Sequence, residues 1–418
     1  MTVQNVDPRI DVPQDTLFVW MLVDPAHPML VGEVRLSQLE VNRAIFSYAP
    51  TWWNFPLSED LPLIASQDFT AHESGSAPGA LDDARPDRWG ERLIRAIEPP
   101  ARLSILEMLL FAGDQRFGAL GISVSADRYT PRQVGPLPHL NDLAALTQAV
   151  EDVQTQTPLQ PTLQRLVQPG TSLGGARPKA LIHTDKGPCV IKFSELGDTV
   201  DTPLIEHATM TLAATCGIQI ATTGVLTLPE RHGKKRHVLT IERFDRLGDY
   251  RLHCLSANTV LRAANLPQSY SALATVLLRL AHPDRQVAQR EELFKRMVFN
   301  LLMDNTDDHE RNHALRLGFD GYYALTPAYD VVPSLQNIGY QAMAVGAQGA
   351  ESTLDNALSH LNEFGIKRPR ALALVAEVVQ AVNHWQAHFI QMGVCPADMA
   401  QLTAHIDRDA LKQQRLAY

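Results

Sequence analysis

Apolar and polar positions alternate with two different periods along this chain. Between Thr16 and Val23 the run T-L-F-V-W-M-L-V is β-like, and D-R-W-G-E-R-L-I-R-A-I, Asp87 to Ile97, has helical spacing. The piece H-E-S-G-S-A-P-G, residues 72–79, is rich in Gly, Ser and Pro and predicts a loop. Y-T-P-R-Q-V-G-P-L-P-H-L, residues 129–140, predicts a connector, and D-L-A-A-L-T-Q-A-V-E-D-V after it predicts a helix. Four β-rich segments follow: K-A-L-I-H-T (Lys179 to Thr184), C-V-I-K-F-S (Cys189 to Ser194), T-T-G-V-L-T-L and H-V-L-T-I-E-R-F. The D-K-G between the first two predicts a short hairpin turn. One helix interrupts this set, P-L-I-E-H-A-T-M-T-L-A-A-T-C-G-I, with Gly217 as its stop signal. From about residue 255 the spacing is almost entirely helical. Apolar pairs at Leu293/Phe294, Met297/Val298 and Leu301/Leu302 mark one helix there as buried.

This pattern predicts an α+β protein. An N-terminal α/β subdomain, residues 1–125, is followed by a connector, residues 126–150. A small β-rich lobe with a Gly-rich loop, residues 151–250, and a large helical lobe, residues 251–418, complete a two-lobed layout.

Composition narrows the class of protein. Apolar residues make up 45% and charged residues 20% of the 418 positions, which excludes a disordered chain. A net charge of −9 argues against nucleic-acid binding through a general basic field and suits a basic partner better. No run approaches ~20 continuous apolar residues, so no membrane span is expected. The start has no basic segment leading into an apolar one, so no signal peptide is expected and the chain is placed in the cytoplasm. Cys189, Cys216, Cys254 and Cys395 are far apart without C-x-x-C spacing and are expected to be free, buried thiols.

The candidate chemistry lies in one ordered series. In Q-P-G-T-S-L-G-G-A-R-P-K, Gln168 to Lys179, Gly170, Gly174 and Gly175 allow backbone N–H groups to approach a phosphate. Gly170 and Gly175 have the G-x-x-x-x-G spacing of a P-loop, but Ala176 stands where that motif needs lysine and no helix follows. Lys192 lies on the strand expected to pair with the one after this loop, where a kinase carries its phosphate-holding lysine. Glu206, on the single helix of the small lobe, is placed to fix that ammonium group. Ile241 to Asp245 closes the last strand of this lobe, where an adenine would meet free backbone groups.

Asp307 and Asn312 then have D-x-x-x-x-N spacing directly behind the buried helix. In a protein-kinase catalytic loop that Asp accepts the substrate hydroxyl proton and that Asn binds Mg²⁺. Asp308 and His309, inside the loop, are expected to hold its shape by hydrogen bonds. A short β-like hairpin, A-L-R-L-G-F-D-G-Y-Y-A-L, leads to Asp330, in the place of a kinase's Mg²⁺-binding Asp. Carboxylate, amide oxygen and phosphate oxygens are a donor set suited to Mg²⁺.

At this level the chain resembles the HipA family, the serine/threonine kinase toxins of bacterial toxin–antitoxin pairs. The likeness covers nearly the whole chain. Its C-terminal part rests on S-L-G-G-A-R-P-K, V-I-K-F, I-E-R-F-D-R, N-T-D-D-H-E-R-N and L-T-P-A-Y-D; its N-terminal part rests on F-S-Y-A-P, P-L-S-E-D-L-P-L, P-D-R-W-G and F-G-A-L-G. The resemblance implies a protein-kinase-like bilobal domain using ATP and Mg²⁺. It implies Asp307 as catalytic base, and Asn312 and Asp330 as Mg²⁺ ligands. Gly174, Gly175, Ala176, Lys179, Lys192, Glu206, Glu242 and Phe244 are implied on the nucleotide side, with His309 as loop support. Ser172 occupies the position of an autophosphorylated loop serine, whose modification expels the loop and shuts the kinase off. An aminoacyl-tRNA synthetase is the implied substrate, with growth arrest and drug tolerance as the outcome. A HipB-like helix-turn-helix antitoxin is the implied partner, with operator DNA contacted mainly through it. Two alternatives remain: a nucleotide-binding regulatory component that holds an antitoxin on an operator without phosphoryl transfer, and a small-molecule kinase on a similar fold.

Overall fold

The computed structural model describes residues 12–418, apart from 98–99, 133–135, 171–174, 186 and 232–233. The chain divides into two compact units, Met1–Val190 with Asp245–Leu255, and Ile191–Phe244 with Ser256–Tyr418.

The first unit is built on a five-stranded antiparallel sheet. Its strands lie in the order Asp68–Thr70, Ala44–Tyr48, Met29–Leu36, Thr16–Met21 and Leu120–Ser123. The expected strand at residues 16–23 is thus the one beside the edge strand Leu120–Ser123. Leu17, Val19 and Met21 are buried by its alternation; Trp20, on the other face, is buried as well, beside Tyr129 and with its indole N–H on the Ser125 carbonyl. Helices Arg88–Ile97 and Ile105–Phe111 accompany the sheet, and a capping box of Ser104 and Glu107 starts the second. Helix Leu143–Gln154 runs across residue 150 and buries Leu146, Ala149, Val150 and Val153. Strand Lys179–Thr184 neighbours strand Gly187–Lys192, and the division between the units falls inside the latter.

The P-D-R-W motif ties the start of helix Arg88–Ile97 to strand Lys179–Thr184. Asp87 Oδ1 accepts from the Gly90 N–H at 2.8 Å, at the start of helix Arg88–Ile97. Its Oδ2 lies 2.7 Å from Lys179 Nζ. Trp89, completely buried, donates its indole N–H to the Lys179 carbonyl at 2.7 Å. Both charged side chains are almost fully buried, at 3% and 6% exposure, so each compensates the other.

In the second unit, strands Thr223–Arg231 and Lys234–Glu242 pair antiparallel, and helix Thr202–Thr215 packs on both. Gly217 ends that helix with φ +79°, and the N–H groups of Gly217 and Ile218 return to the carbonyls of Ala214 and Ala213. The rest is mainly helical: Ala257–Ala263, Tyr270–Leu280, Gln286–Leu302, Arg368–Asn383, Trp385–Gln391, Pro396–Ile406 and Asp409–Ala417. The apolar pairs of helix Gln286–Leu302 are all buried, against helices Tyr270–Leu280 and Arg368–Asn383. The hairpin expected after the candidate loop is present, with Ala314–Leu317 antiparallel to Tyr323–Leu325. The mixed α+β, kinase-like class expected from the sequence is the class observed.

Cys189, Cys216 and Cys254 are buried free thiols, as expected, but Cys395 is exposed. It stands directly before helix Pro396–Ile406, at a surface turn that the apolar pattern does not mark. Among the described residues no helix is long and apolar enough to cross a membrane.

Replacing Asp87 by Ala removes one partner of a buried pair. The expected loss is about 3–5 kcal/mol of stability, read from urea unfolding followed by tryptophan fluorescence.

Candidate active site

The core of the site is an ion triad in the second unit. Lys192, the last residue of its strand, places Nζ 2.7 Å from Glu206 Oε1 and 2.5 Å from Asp330 Oδ1. Glu206 comes from the middle of helix Thr202–Thr215 and is almost fully buried. Burial alone would pull the Lys192 pKa down, but the Asp330 and Glu206 carboxylates overcome it and the net shift is upward. The ammonium therefore stays charged at neutral pH. Asp330 is the most accessible of the three, at 23% exposure against 12% and 2%.

Asp330 is held in an unusual backbone state, φ +59°. The left-handed region costs an L-residue about 1–2 kcal/mol, so the surroundings must impose it. Just before Asp330, Ala328 exchanges backbone hydrogen bonds with the Gln219–Ala221 segment, 2.7 Å from its N–H to Gln219 and 2.9 Å from Ala221 to its carbonyl. Tyr329 donates its hydroxyl to the Arg311 carbonyl at 2.9 Å and stacks on Phe244 at 5.3 Å between ring centroids. Beneath, the buried Arg296 donates to Glu292 at 2.9 Å and to the Thr326 carbonyl at 2.9 Å, while Glu292 also accepts from the Gln219 N–H. One i,i+4 pair on helix Gln286–Leu302 thus grips both segments that carry Asp330 into place.

The N-T-D-D-H-E-R-N loop is organised around Asp308. Its buried Oδ2 accepts from the Tyr270 hydroxyl, from Asn300 Nδ2 at 2.8 Å, and from His313 Nε2 at 2.8 Å. Burial raises its pKa, but His313 and the hydrogen bonds more than reverse this, so the carboxyl sits below its ordinary value. The expectation that Asp308 holds the loop by hydrogen bonds is met, with partners from two helices. His309 contributes locally, its Nδ1 accepting from the Arg311 N–H at 3.2 Å and its carbonyl from the Asn312 N–H at 2.8 Å.

With Asp308 turned inward, Asp307 is turned out and is exposed. Its backbone N–H, and that of Thr306, donate to Ser334 Oγ at 3.2 and 2.9 Å. Asn312 Nδ2 donates to the Asp307 carbonyl at 3.2 Å. Asn312 Oδ1, by contrast, is buried and accepts no hydrogen bond. Such an orphaned acceptor calls for a cation or a donor. It borders a cavity of about 10 Å³, with Asp308, His313, Tyr329 and Val331 also in the wall. That is room for one water. An amide oxygen awaiting a partner, and the part-exposed carboxylate of Asp330 between Tyr329 and Val331 of that wall, are donor types that fit a divalent cation completing its shell with phosphate oxygens. Among the described residues no three His, Cys, Asp or Glu side chains form a metal cage by themselves.

Lys192, Glu206 and Asp330 are therefore brought together, with Phe244 against the residue before Asp330 and Asp307 tied to Asn312. Glu242 ends its strand with its N–H on the Thr222 carbonyl at 2.9 Å. Gly175, with φ +98°, Ala176 and Lys179 belong to the first unit, where the Lys179 ammonium is paired with Asp87. Ser172 and Gly174 lie outside the described residues. Sequence spacing did not single out Glu292, Arg296, Tyr270, Asn300 or Ser334. The one available signal was a Glu and an Arg four apart within an otherwise buried helix.

A strand lysine, its helix glutamate, a D-x-x-x-x-N loop and a following aspartate, on this α+β architecture, define a protein-kinase-like class. Models of the HipA N-terminal domain and the HipA-like C-terminal domain match residues 26–123 and 171–385, and the chain belongs to the HipA family. Its fold is that of the HipA of Shewanella oneidensis, solved with HipB and operator DNA, at a TM-score of 0.67 and 18% identity over 96% of this chain and 97% of that one. A putative kinase of Haemophilus influenzae is 26% identical over 196 residues, 41% of this chain; the match spans 55% of that protein's length.

Asp308→Asn is expected to destabilise the protein at pH 7, because a depressed folded pKa contributes stability above the unfolded value. The deficit relative to wild type should shrink as pH falls below about 4, towards the lower folded pKa. Urea unfolding at a series of pH values checks both the sign and the window.

Proposed function

We propose that this protein is an ATP- and Mg²⁺-dependent serine/threonine protein kinase, the toxin of a HipBA-type toxin–antitoxin pair. The Lys192–Glu206–Asp330 triad, together with the bare amide oxygen of Asn312, whose cavity is also lined by Tyr329 and Val331 on either side of Asp330 in sequence, is the observation that carries this reading. Glu206 orients the Lys192 ammonium, which holds a phosphate of ATP. Asp330 and Asn312 would hold the Mg²⁺, and bound there it neutralises charge that builds on the transferred phosphoryl group. Asp307, exposed and fixed by its backbone to Ser334, accepts the proton of the attacking hydroxyl, which forms the new P–O bond as ADP leaves. Glu242 and Phe244 are assigned to the adenine side. The glycine loop with Gly174, Gly175 and Ala176 is assigned to the phosphates. Lys179 is assigned instead to holding that loop's strand, since its ammonium is paired with Asp87.

Family membership supports a HipB-like antitoxin as partner, and the Shewanella relative was solved with HipB and operator DNA. The net charge of −9 favours DNA contact through that partner. An aminoacyl-tRNA synthetase as the protein substrate, and Ser172 as a site of autophosphorylation, rest on family resemblance alone.

Transfer of label from ATP to protein in a host lysate should fall roughly 10²–10⁴-fold in Asp307→Asn, with ATP binding kept. Equal transfer by the variant would remove Asp307 from its role. ATP binding without transfer by the wild type would favour the regulatory alternative. After incubation with Mg·ATP, intact mass and peptide mapping should find one phosphate, on Ser172; a phosphate elsewhere, or none, would overturn that assignment.

A further inference from the structure

The buried helix Gln286–Leu302 ends in a way that calls for explanation. Asp304 is the left-handed residue after it, φ +55°, and the N–H groups of Asp304 and Asn305 return to the carbonyls of Leu301 and Asn300. This is the closure that Gly217 makes elsewhere in the same unit, and glycine is the least strained residue for it. Aspartate here has two further disadvantages. It sets a negative charge at the negative end of a helix, and its side chain is fully buried. Neither carboxylate oxygen receives a well-aligned hydrogen bond among the described residues.

One cation offsets this. Arg408 Nη1 lies 2.6 Å from Asp304 Oδ1, and His405 Nδ1 lies 3.9 Å from Oδ2. The same guanidinium reaches Asn337 Oδ1 at 3.3 Å, which also meets His405 Nδ1 at 2.9 Å. Asn337 is itself left-handed, at φ +53°, as is Leu335, at φ +54°. Between Leu335 and Asp330 stands Ser334, whose N–H donates to the Asp304 carbonyl at 2.9 Å and whose hydroxyl accepts from Thr306 and Asp307. Asp304 and Asn337 thus flank the two segments that carry Asp307 and Asp330, and one arginine holds both.

We propose that Arg408 is a positioning residue for phosphoryl transfer, acting through Asp304 and Asn337 on the loop that presents Asp307. The inference rests on the kinase reading above. Arg408 and His405 stand beyond residues 171–385, where the family model matches. Without Arg408 a buried carboxylate three residues before Asp307 keeps only His405, at 3.9 Å, and the loop must shift to rehydrate it. A displacement of the base by about 1 Å is worth on the order of 10²-fold in rate. Lys192 and Glu206, on a separate strand and helix, are not touched.

The test is steady-state transfer to a protein substrate by wild type, Arg408→Gln, Arg408→Lys and the double variant Asp304→Asn/Arg408→Gln, with melting followed in parallel. Arg408→Gln should lower kcat by about 10²-fold while KM for Mg·ATP changes little. Arg408→Lys should keep most of the rate. The double variant should recover at least half of the lost decades, because Asn tolerates the left-handed turn and needs no cation. An unchanged kcat in Arg408→Gln would overturn the role, as would a double variant no better than the single one. So would a rate loss fully accounted for by unfolded protein. A wild type that transfers no phosphoryl group overturns the proposed function and this role together, whereas an active wild type with an indifferent Arg408→Gln overturns this role alone.

Discussion

A charge removed from water must find its opposite, and the second unit is arranged around that requirement. Lys192 between Glu206 and Asp330 is its central case. The ammonium joins a strand end, a helix and an irregular segment that no run of apolar residues would bring to one point. Hydrophobic burial makes helix Gln286–Leu302 a fixed post, but it does not say which way Asp307 or Asp330 faces. Polar contacts with little tolerance do that: Asp308 to Tyr270, Asn300 and His313, and Arg296 to the Thr326 carbonyl. Buried ionic contacts are weak sources of stability and better sources of definition.

The division of labour between adjacent acids follows from this. Asp307 and Asp308 differ by one position and have opposite fates. Asp308 faces inward, and three donors converge on its Oδ2. Asp307 faces solvent, with its backbone pinned and its carboxylate accessible. The inward residue is what makes the outward one reliable, because a loop anchored from inside has one way to present its other face.

The order of Lys192, Glu206, Asp307, Asn312 and Asp330 along the chain was legible because each stands at a fixed offset within a recognisable element. The strand, the stop at Gly217 and the apolar pairs of the buried helix were legible for the same reason, since period and punctuation are local. What was not legible is long-range. Lys179, which the resemblance put on the nucleotide side, pairs with an aspartate 92 positions away, and no local spacing marks that partner. Tyr270 finds Asp308 across 38 positions, and no spacing announces it. The short strands Ala44–Tyr48, Asp68–Thr70 and Leu120–Ser123 escaped individual notice because three to five residues carry too little periodicity to separate strand from turn.

Trp89 has a use that its structural role does not suggest. Its indole is sealed from solvent and donates to the carbonyl of Lys179, the first residue of the strand that the glycine-rich stretch feeds. A rearrangement of that stretch that drags on Lys179 would break this bond and change the polarity around the ring. The protein thus carries a built-in optical reporter beside the loop, readable by emission wavelength once the other four of its five tryptophans are replaced, without any attached dye.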